Sequence, residues 1–421
     1  MADAVAVEVS NSVIPDPYSI PLDRIDVARA EIFQANQHGE YFRRLRQECP
    51  VHYCADSQFG PYWSITRFND IMAIDGDHNH FSSERDIVIG DQLEQFSTPM
   101  FIAMDNPRHD VQRKTVQPAV APKQLAALES VIRERVADIL DHLPVGETFN
   151  WVEWVSKELT TRMLATLFDF PFEDRHLLPY WSDVATTTQT VGIAADMAER
   201  DRILHECLAY FTRLWHERAA APPKFDFISL LAHGEHTRDM INRPEELLGN
   251  LVLLIVGGND TTRNSISSSV VQLNHNPGEY EKLKANPELI PNMVSEVIRF
   301  QTPLAHMRRT ATADVEFQGQ QIRKGDRVVM WYVSGNRDEE VIPNADSFII
   351  DRDKARQHLS FGFGIHRCMG NRVGEMQVRV LWEEILKRFE RIVMVGEPER
   401  VLSNFVMGFR DVPVLVHPLK H

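Results

Sequence analysis

Cysteine is scarce in this chain, with four in 421 residues: Cys49, Cys54, Cys207 and Cys368. Four thiols cannot frame a disulfide scaffold for a protein of this size, and their scarcity fits a reducing compartment. Long hydrophobic runs are lacking too. The greasiest stretch, Leu247 to Val256, is broken by Gly249 and Asn250 and falls short of the roughly 20 residues a bilayer requires, so no membrane span is expected. The opening MADAVAVEVSNSVIPDP has neither the basic region nor the apolar core of a secretory signal, which points to a cytoplasmic protein. Positive charge is in deficit, 45 Lys+Arg against 60 Asp+Glu for a net −15. Such a chain repels a phosphate backbone, and no nucleic-acid partner is expected. Internal repeats, low-complexity segments and interdomain linkers are absent; AAAPP at Ala219 to Pro223 reads as a loop between helices.

What is present is ample core. Hydrophobic residues make up 43% and charged residues 25%, which excludes a disordered chain. Residues 1–30 mix Pro, Asp and Ser without period and read as an extended N-terminal arm, leaving 31–421 as one domain. Val51 to Thr66 holds VHYC and GPYWSIT, two β-branched and aromatic stretches parted by a polar turn. That is the pattern of an antiparallel hairpin. From Asn106-Pro107, a cap residue followed by proline, helical periodicity takes over. It predicts helices over Pro122 to Leu140, Trp151 to Phe168, Ala194 to Ala220, Pro244 to Leu273 and Pro291 to Phe300. A β-rich interval, Val315 to Val333, is punctuated by the turn Arg323-Lys324-Gly325-Asp326. A last long helix is expected from Gly370 to Phe389, with strands after it. The expected class is mainly α with a small β portion.

Four segments carry chemistry. Phe361-Gly362-Phe363-Gly364-Ile365-His366-Arg367-Cys368-Met369-Gly370 precedes the last helix. Its glycines let the backbone turn tightly and approach a flat partner. The helix start aims N–H groups and the positive dipole end at the sulfur, favouring thiolate over thiol. A thiolate so placed is a nucleophile or a metal ligand, and with no CxxC or HxxxH spacing nearby zinc is poorly supported. The second segment, Leu251 to Thr262 (LVLLIVGGNDTT), is apolar all round at its start and therefore buried. Two adjacent glycines inside a helix cost about 1 kcal/mol each relative to Ala. Either tight helix packing or room for a planar group accounts for them. Leu253, Gly257 and Thr261 recur on one face. Third, Glu296 and Arg299 stand one turn apart, out of context an ordinary solvated pair. Fourth, His109 and Arg113 share a face of the helix after Pro107; two donors there suit a carboxylate, or simply water.

The four together resemble the cytochrome P-450 superfamily of haem-thiolate monooxygenases, in superfamily order and over nearly the whole chain. The resemblance implies a single-domain cytochrome P-450 fold holding haem b, with O2 as co-substrate. Cys368 is then the axial thiolate and metal ligand, within a loop whose Phe361, Gly364, His366 and Gly370 match the haem-binding pattern. Gly257 would leave room for haem and O2, while Asp260 and Thr261 resemble the acid–Thr pair of proton delivery. Glu296 and Arg299 would form the buried structural pair, with Arg352 as third member. His109, Arg113, Arg309 and His366 would meet the propionates, Arg308 being the neighbour able to replace Arg309.

Several strings are similar to one bacterial branch, the soluble alkane and fatty-acid terminal hydroxylases: FIAMD from Phe101, LIVGGNDTTRN from Leu254, TPLAHMRR from Thr302, VMWYVSGNRD from Val329, HRCMGNR from His366 and LWEEILKRF from Leu381. This implies terminal hydroxylation of medium-chain alkanes, with fatty-acid ω-hydroxylation as the alternative. Electrons would come from a [2Fe–2S] ferredoxin and its NAD(P)H-dependent ferredoxin reductase. Met100, Leu253, Val256, Leu304, Met307, Phe405 and Val406 are the expected substrate contacts, with Phe101 a further candidate beside Met100, an apolar set with no ion partner for a polar substrate. A haem-thiolate protein of another class (peroxide-using, isomerase or sensor) needs no acid–Thr pair. A Cys368 hydrolase needs a histidine base, and His366 is poorly placed for it.

Overall fold

The longest apolar segment organises the rest of the chain around it. The computed structural model describes residues 14–91, 98–186 and 194–419. The first helices are α1 (Ala30–Gln34), α2 (His38–Glu48), α3 (Phe68–Gly76), α4 (Arg108–Val116) and α5 (Pro122–Asp141). Then come α6 (Glu158–Phe168), α7 (Leu177–Ala185), α8 (Met197–Ala219), α9 (Phe227–His233) and α10 (Pro244–His275). The last are α11 (Pro277–Ala285), α12 (Ile290–Gln301), α13 (Tyr332–Gly335) and α14 (Asn371–Arg388). At 32 residues, α10 is about 48 Å long. It opens on Pro244 with Glu245 and Glu246 in the first turn, where acids complement the dipole. Its apolar stretch can be greasy all round because α6, α7, α12 and α14 pack against it from different sides. On α5 the stripe Leu128, Ile132, Val136, Ile139 is buried against α14. Each such side chain contributes about 1.5–3 kcal/mol.

The β portion has a five-stranded sheet in the order β1 (Val51–Cys54), β2 (Tyr62–Ile65), β8 (Arg327–Met330), β5 (Met307–Ala311), β3 (Phe81–Ser82). The β1–β2 hairpin is antiparallel as its sequence indicates, whereas β2 and β8 run parallel. β4 (Phe149–Asn150), β12 (Pro413–Pro418) and β9 (Phe389–Met394) form a second sheet; β6 (Val315–Phe317) pairs β7 (Gln320–Ile322), and β10 (Glu399–Arg400) pairs β11 (Phe409–Asp411).

Several boundaries differ from the expected ones. The interval Val315 to Val333 stops being strand at Met330, because the N–H groups of Ser334, Gly335 and Asn336 turn back onto the Trp331 and Tyr332 carbonyls. The Trp151 to Phe168 helix begins with a π-helical turn, Val152–Lys157. The described part of the 1–30 segment is packed down rather than held out as an arm. Ile25, Val27 and Ala28 are buried with Phe33, Phe42 and Trp331, and Leu22–Arg24 forms a turn of 3-10 helix. Residues 1–13 lie outside the described residues.

Candidate active site

The Cys368 loop is wound by its own backbone. Cys368 N–H donates to the Phe361 carbonyl (2.8 Å) and Gly362 N–H to the Leu359 carbonyl (2.7 Å). Gly362 and Gly364 have φ of 67° and 68°, a left-handed conformation that glycine adopts without strain. The loop thereby delivers Cys368 into a large cavity between α10 and the start of α14. The side chain faces that open cavity while protein surrounds it. Burial pushes the Cys368 thiol up, and the Gly370 and Asn371 N–H groups with Arg113 and Arg367 pull against it without prevailing. The N–H groups at the helix start do favour the thiolate, as expected, and burial opposes them.

The cavity brings together most of the sequence-predicted residues. His109, Arg113, Leu253, Gly257, Thr261, Leu304, Met307, Arg309, Phe361, His366, Cys368 and Gly370 line it. Strand alternation decides between the two arginines of β5. Met307 and Arg309 face the cavity, and Arg308 points the other way to Asp91 at 2.7 Å. Met100, Val256, Phe405 and Val406 are not in the lining, a correction with local causes. Phe101 N–H is held by Asn250 Oδ1 (3.0 Å), which turns Phe101 and Ile102 inward in place of Met100. Val256, one position before Gly257, leaves the Leu253–Gly257 face and packs into the helical core. Phe405 stacks edge-on to His306, and Val406 pairs with Leu304 backbone to backbone, behind the wall. Gly364 is also outside the lining, pressed on the Asp75 carbonyl.

Asp260 does not face the cavity. It is buried beside the lining face of α10, with Arg263 at 2.7 Å and Asn259 Nδ2 at 3.1 Å, and Arg263 reaches Asp183 at 3.2 Å. Burial pushes its carboxyl up to about 6; Arg263 opposes and Asp183 adds to the rise. Thr261 donates its hydroxyl to the Gly257 carbonyl at 3.0 Å. Further lining side chains (Met163, Leu164, Leu167 and Phe227) come from α6 and α9. Sequence reasoning missed them because core periodicity looks the same whether it faces protein or a void. Gly249 carries no side chain because a Cβ there would stand 2.1 Å from the Pro99 carbonyl oxygen. Beside it, Asn250 Nδ2 donates to Gln112 Oε1 (2.9 Å), fixing residues 98–101 against α10.

The Glu296–Arg299 pair is fully buried, at 0% exposure on both sides, with two 2.8 Å hydrogen bonds. Arg299 also donates to the Asn336 and Ala345 carbonyls, and Arg352 Nε reaches Glu296 at 3.1 Å. Burial alone would raise the Glu296 carboxyl; the Arg299 hydrogen bonds and charge, the Ile349 N–H and Arg352 outweigh it and hold it low. Asn336 completes the link to the Cys loop, donating to Ser360 Oγ and Thr302 Oγ1 (2.9 Å each) and accepting from Leu359 N–H.

The donor set fits a haem. His366 has Nε2 on Ser83 Oγ at 2.9 Å, leaving a buried Nδ1 without a partner, and the buried His109 Nε2 is orphaned likewise. The two rings lie 4.2 Å apart. With Arg113 and Arg309 they offer nitrogen donors at one cavity to a dicarboxylate, while Cys368 offers a single soft ligand. Side chains at Gly257 and Gly370 would meet nothing within 4 Å, so both leave the cavity open.

The comparisons agree. Residues 190–415 match the family model "Cytochrome P450". The solved structure of cytochrome P450-153 from Novosphingobium aromaticivorans superposes with a TM-score of 0.87 and is 46% identical, over 93% of this chain and 99% of that one. Linalool 8-monooxygenase from Pseudomonas putida is 33% identical over 94% of this chain and 100% of its own. A methyl-branched lipid omega-hydroxylase from Mycobacterium bovis is 27% identical over 98% of both. With a thiol in a glycine-wound loop, a cavity flanked by α10, and relatives matched over nearly the whole chain, the chain belongs to the cytochrome P450 family.

Proposed function

We propose that this monooxygenase hydroxylates the terminal methyl of medium-chain alkanes, with electrons from a [2Fe–2S] ferredoxin. One observation carries the reading. Much of the cavity wall is apolar (Leu164, Leu167, Phe227, Leu253, Leu304, Met307), its other polar side chains include the neutral Thr261, Thr262, Ser265 and Gln377, and the lining's charged side chains are Arg113 and Arg309. Both of those are spoken for by the haem carboxylates, so a substrate's polar group would find no ion partner there. Haem, when bound through Cys368, supplies O2 activation and the oxidising power for the C–H bond. The protein's part is to bind, orient and move protons. Spectral titration with octane, 1-octanol and octanoate tests the substrate class. Tight binding of octane supports the alkane reading; binding of octanoate alone replaces it with fatty-acid ω-hydroxylation.

Orientation is the residues' task, since a terminal C–H bond is stronger than its neighbours and only shape can favour it. Leu304 and Leu253 stand on separate elements of the wall. Leu304→Ala is expected to move octane product from the 1-alcohol toward the 2-alcohol with haem content unchanged, and Leu253→Ala to do so more weakly. Gas chromatography of the products decides it. An unshifted ratio in folded enzyme overturns the shape argument.

Proton supply is assigned to Thr261 and Asp260. A carboxyl held near 6 both yields and regains a proton close to neutral pH. Thr261→Ala is expected to uncouple the enzyme, so that reductant is consumed and peroxide replaces much of the product. As pH rises through about 6 the acid form of Asp260 is lost, and proton-limited turnover of the wild type should fall. Asp260→Asn should run slowly and without that limb. Wild-type coupling in Thr261→Ala and a wild-type profile in Asp260→Asn would remove both from the relay.

A further inference from the structure

Asp75 sits at the end of α3, far in sequence from every motif of the site, and its side chain is 1% exposed. Oδ1 accepts from Arg309 Nη2 at 2.7 Å. Oδ2 accepts from Tyr332 Oη at 2.7 Å and from the Phe363 N–H at 2.8 Å. The Asp75 backbone is engaged as well: a Cβ on Gly364 would lie 2.5 Å from its carbonyl oxygen, so the Cys368 loop rests directly on this residue. One buried carboxylate thus grips the loop that carries the iron ligand and, through its other oxygen, the arginine that faces the haem carboxylates.

We infer that Asp75 is a positioning residue that couples the Cys368 loop to Arg309 and sets how much of the arginine's charge reaches the haem. A carboxylate buried this deeply needs all of its partners, and each partner here has a second duty. Arg309 shares its charge between Asp75 and the cavity. Tyr332, itself a cavity-lining residue from α13, contributes a neutral donor. The Phe363 N–H fixes the loop five residues before Cys368. Reduction of the iron site adds an electron, which a nearby buried anion disfavours. Removing the Asp75 charge therefore favours the reduced state twice over, by deleting an anion and by releasing Arg309 toward the propionates.

The test is a redox titration and a haem-transfer assay to apomyoglobin on holoenzyme variants. Asp75→Asn keeps the shape and removes the charge; its midpoint potential is expected to rise while the reduced CO complex keeps its thiolate band. Tyr332→Phe removes one neutral hydrogen bond; its potential should stay put while haem loss accelerates severalfold. In the double variant with Arg309→Gln the upward shift from Asp75→Asn should shrink, since the two act through one ion pair. A merely structural carboxylate would lower thermal stability and leave the potential unmoved, and that result in Asp75→Asn overturns the inference. Should Asp75→Asn yield no haem protein, Tyr332→Phe decides alone: faster haem loss supports the coupling, and an unchanged rate overturns it.

Discussion

Replacing Cys368 by Ala is expected to abolish the thiolate-type band of the reduced CO complex entirely. The argument is one of access. Cys54 and Cys207 are buried in cores and Cys49 lies beside β1, away from the cavity, whereas Cys368 alone among the four lines it. Burial pushes the Cys54 thiol up to about 12 and the Cys207 thiol far up as well, so neither is poised to become an anion. Alanine at 49, 54 or 207 should leave the band in place, at the cost of a little packing for the buried pair. The apparent loss in Cys368→Ala is not one of folding, because the loop is wound by the backbone bonds of Gly362 and residue 368, which alanine retains. Circular dichroism should match the wild type. A thiolate band surviving in Cys368→Ala would overturn the assignment of the site.

Glu296→Ala should be nearly as severe by a different route. Arg299 is 0% exposed, and its guanidinium would remain buried with carbonyl partners but no counter-charge. Breaking a buried pair by removing one partner costs about 3–5 kcal/mol, against a total stability of about 5–15 kcal/mol. The same mutation orphans the Ile349 N–H and unties Arg352. Because Asn336 connects this cluster to Ser360 and Leu359 is held by the same side chain, the Cys loop loosens with it.

 Folded, haem-loaded protein should drop sharply on expression, and Arg352→Ala, whose guanidinium also bonds three exposed carbonyls, should cost less. A melting temperature for Glu296→Ala equal to that of the wild type would remove the pair from the fold's foundations.

Much of this was legible in advance because the chemistry is local. The Cys loop, the glycine pair of α10, the Glu296 turn and the His109 turn each fit within a dozen residues, and helical spacing carries their relative placement. Long helices were legible for the same reason, with boundaries of α5, α10, α12 and α14 within a few residues of expectation. Contacts made across the chain were not. Asp75 reads as an ordinary acid at a helix end, and only the packing of α3 beneath residues 362–364 gives it a role. The five-stranded sheet pairs strands as distant in sequence as β2 and β8, a pairing that no local pattern encodes. The misplaced wall residues have separate causes: Val256 is an apolar neighbour of the lining residue Gly257, and a shift of one position along a helix changes which face a side chain occupies, whereas Phe405 and Val406 are set by contacts across the chain, to His306 and to the Leu304 backbone.

The contact at Gly249 bears on how this catalyst can be diversified. With the Pro99 oxygen where a Cβ would go, position 249 is closed to all other side chains unless the loop itself is rebuilt. Asn250 and Gln112 are committed alongside it, because each completes the other's hydrogen bonding. Libraries aimed at new substrates therefore gain nothing from these three codons, and any hit there would report a displaced loop, not a reshaped wall. Phe101 and Ile102, held in place by that fixed joint yet free to vary in size, together with Leu164, Leu167 and Leu304, are the positions where variation alters the space offered to a substrate and leaves the frame intact.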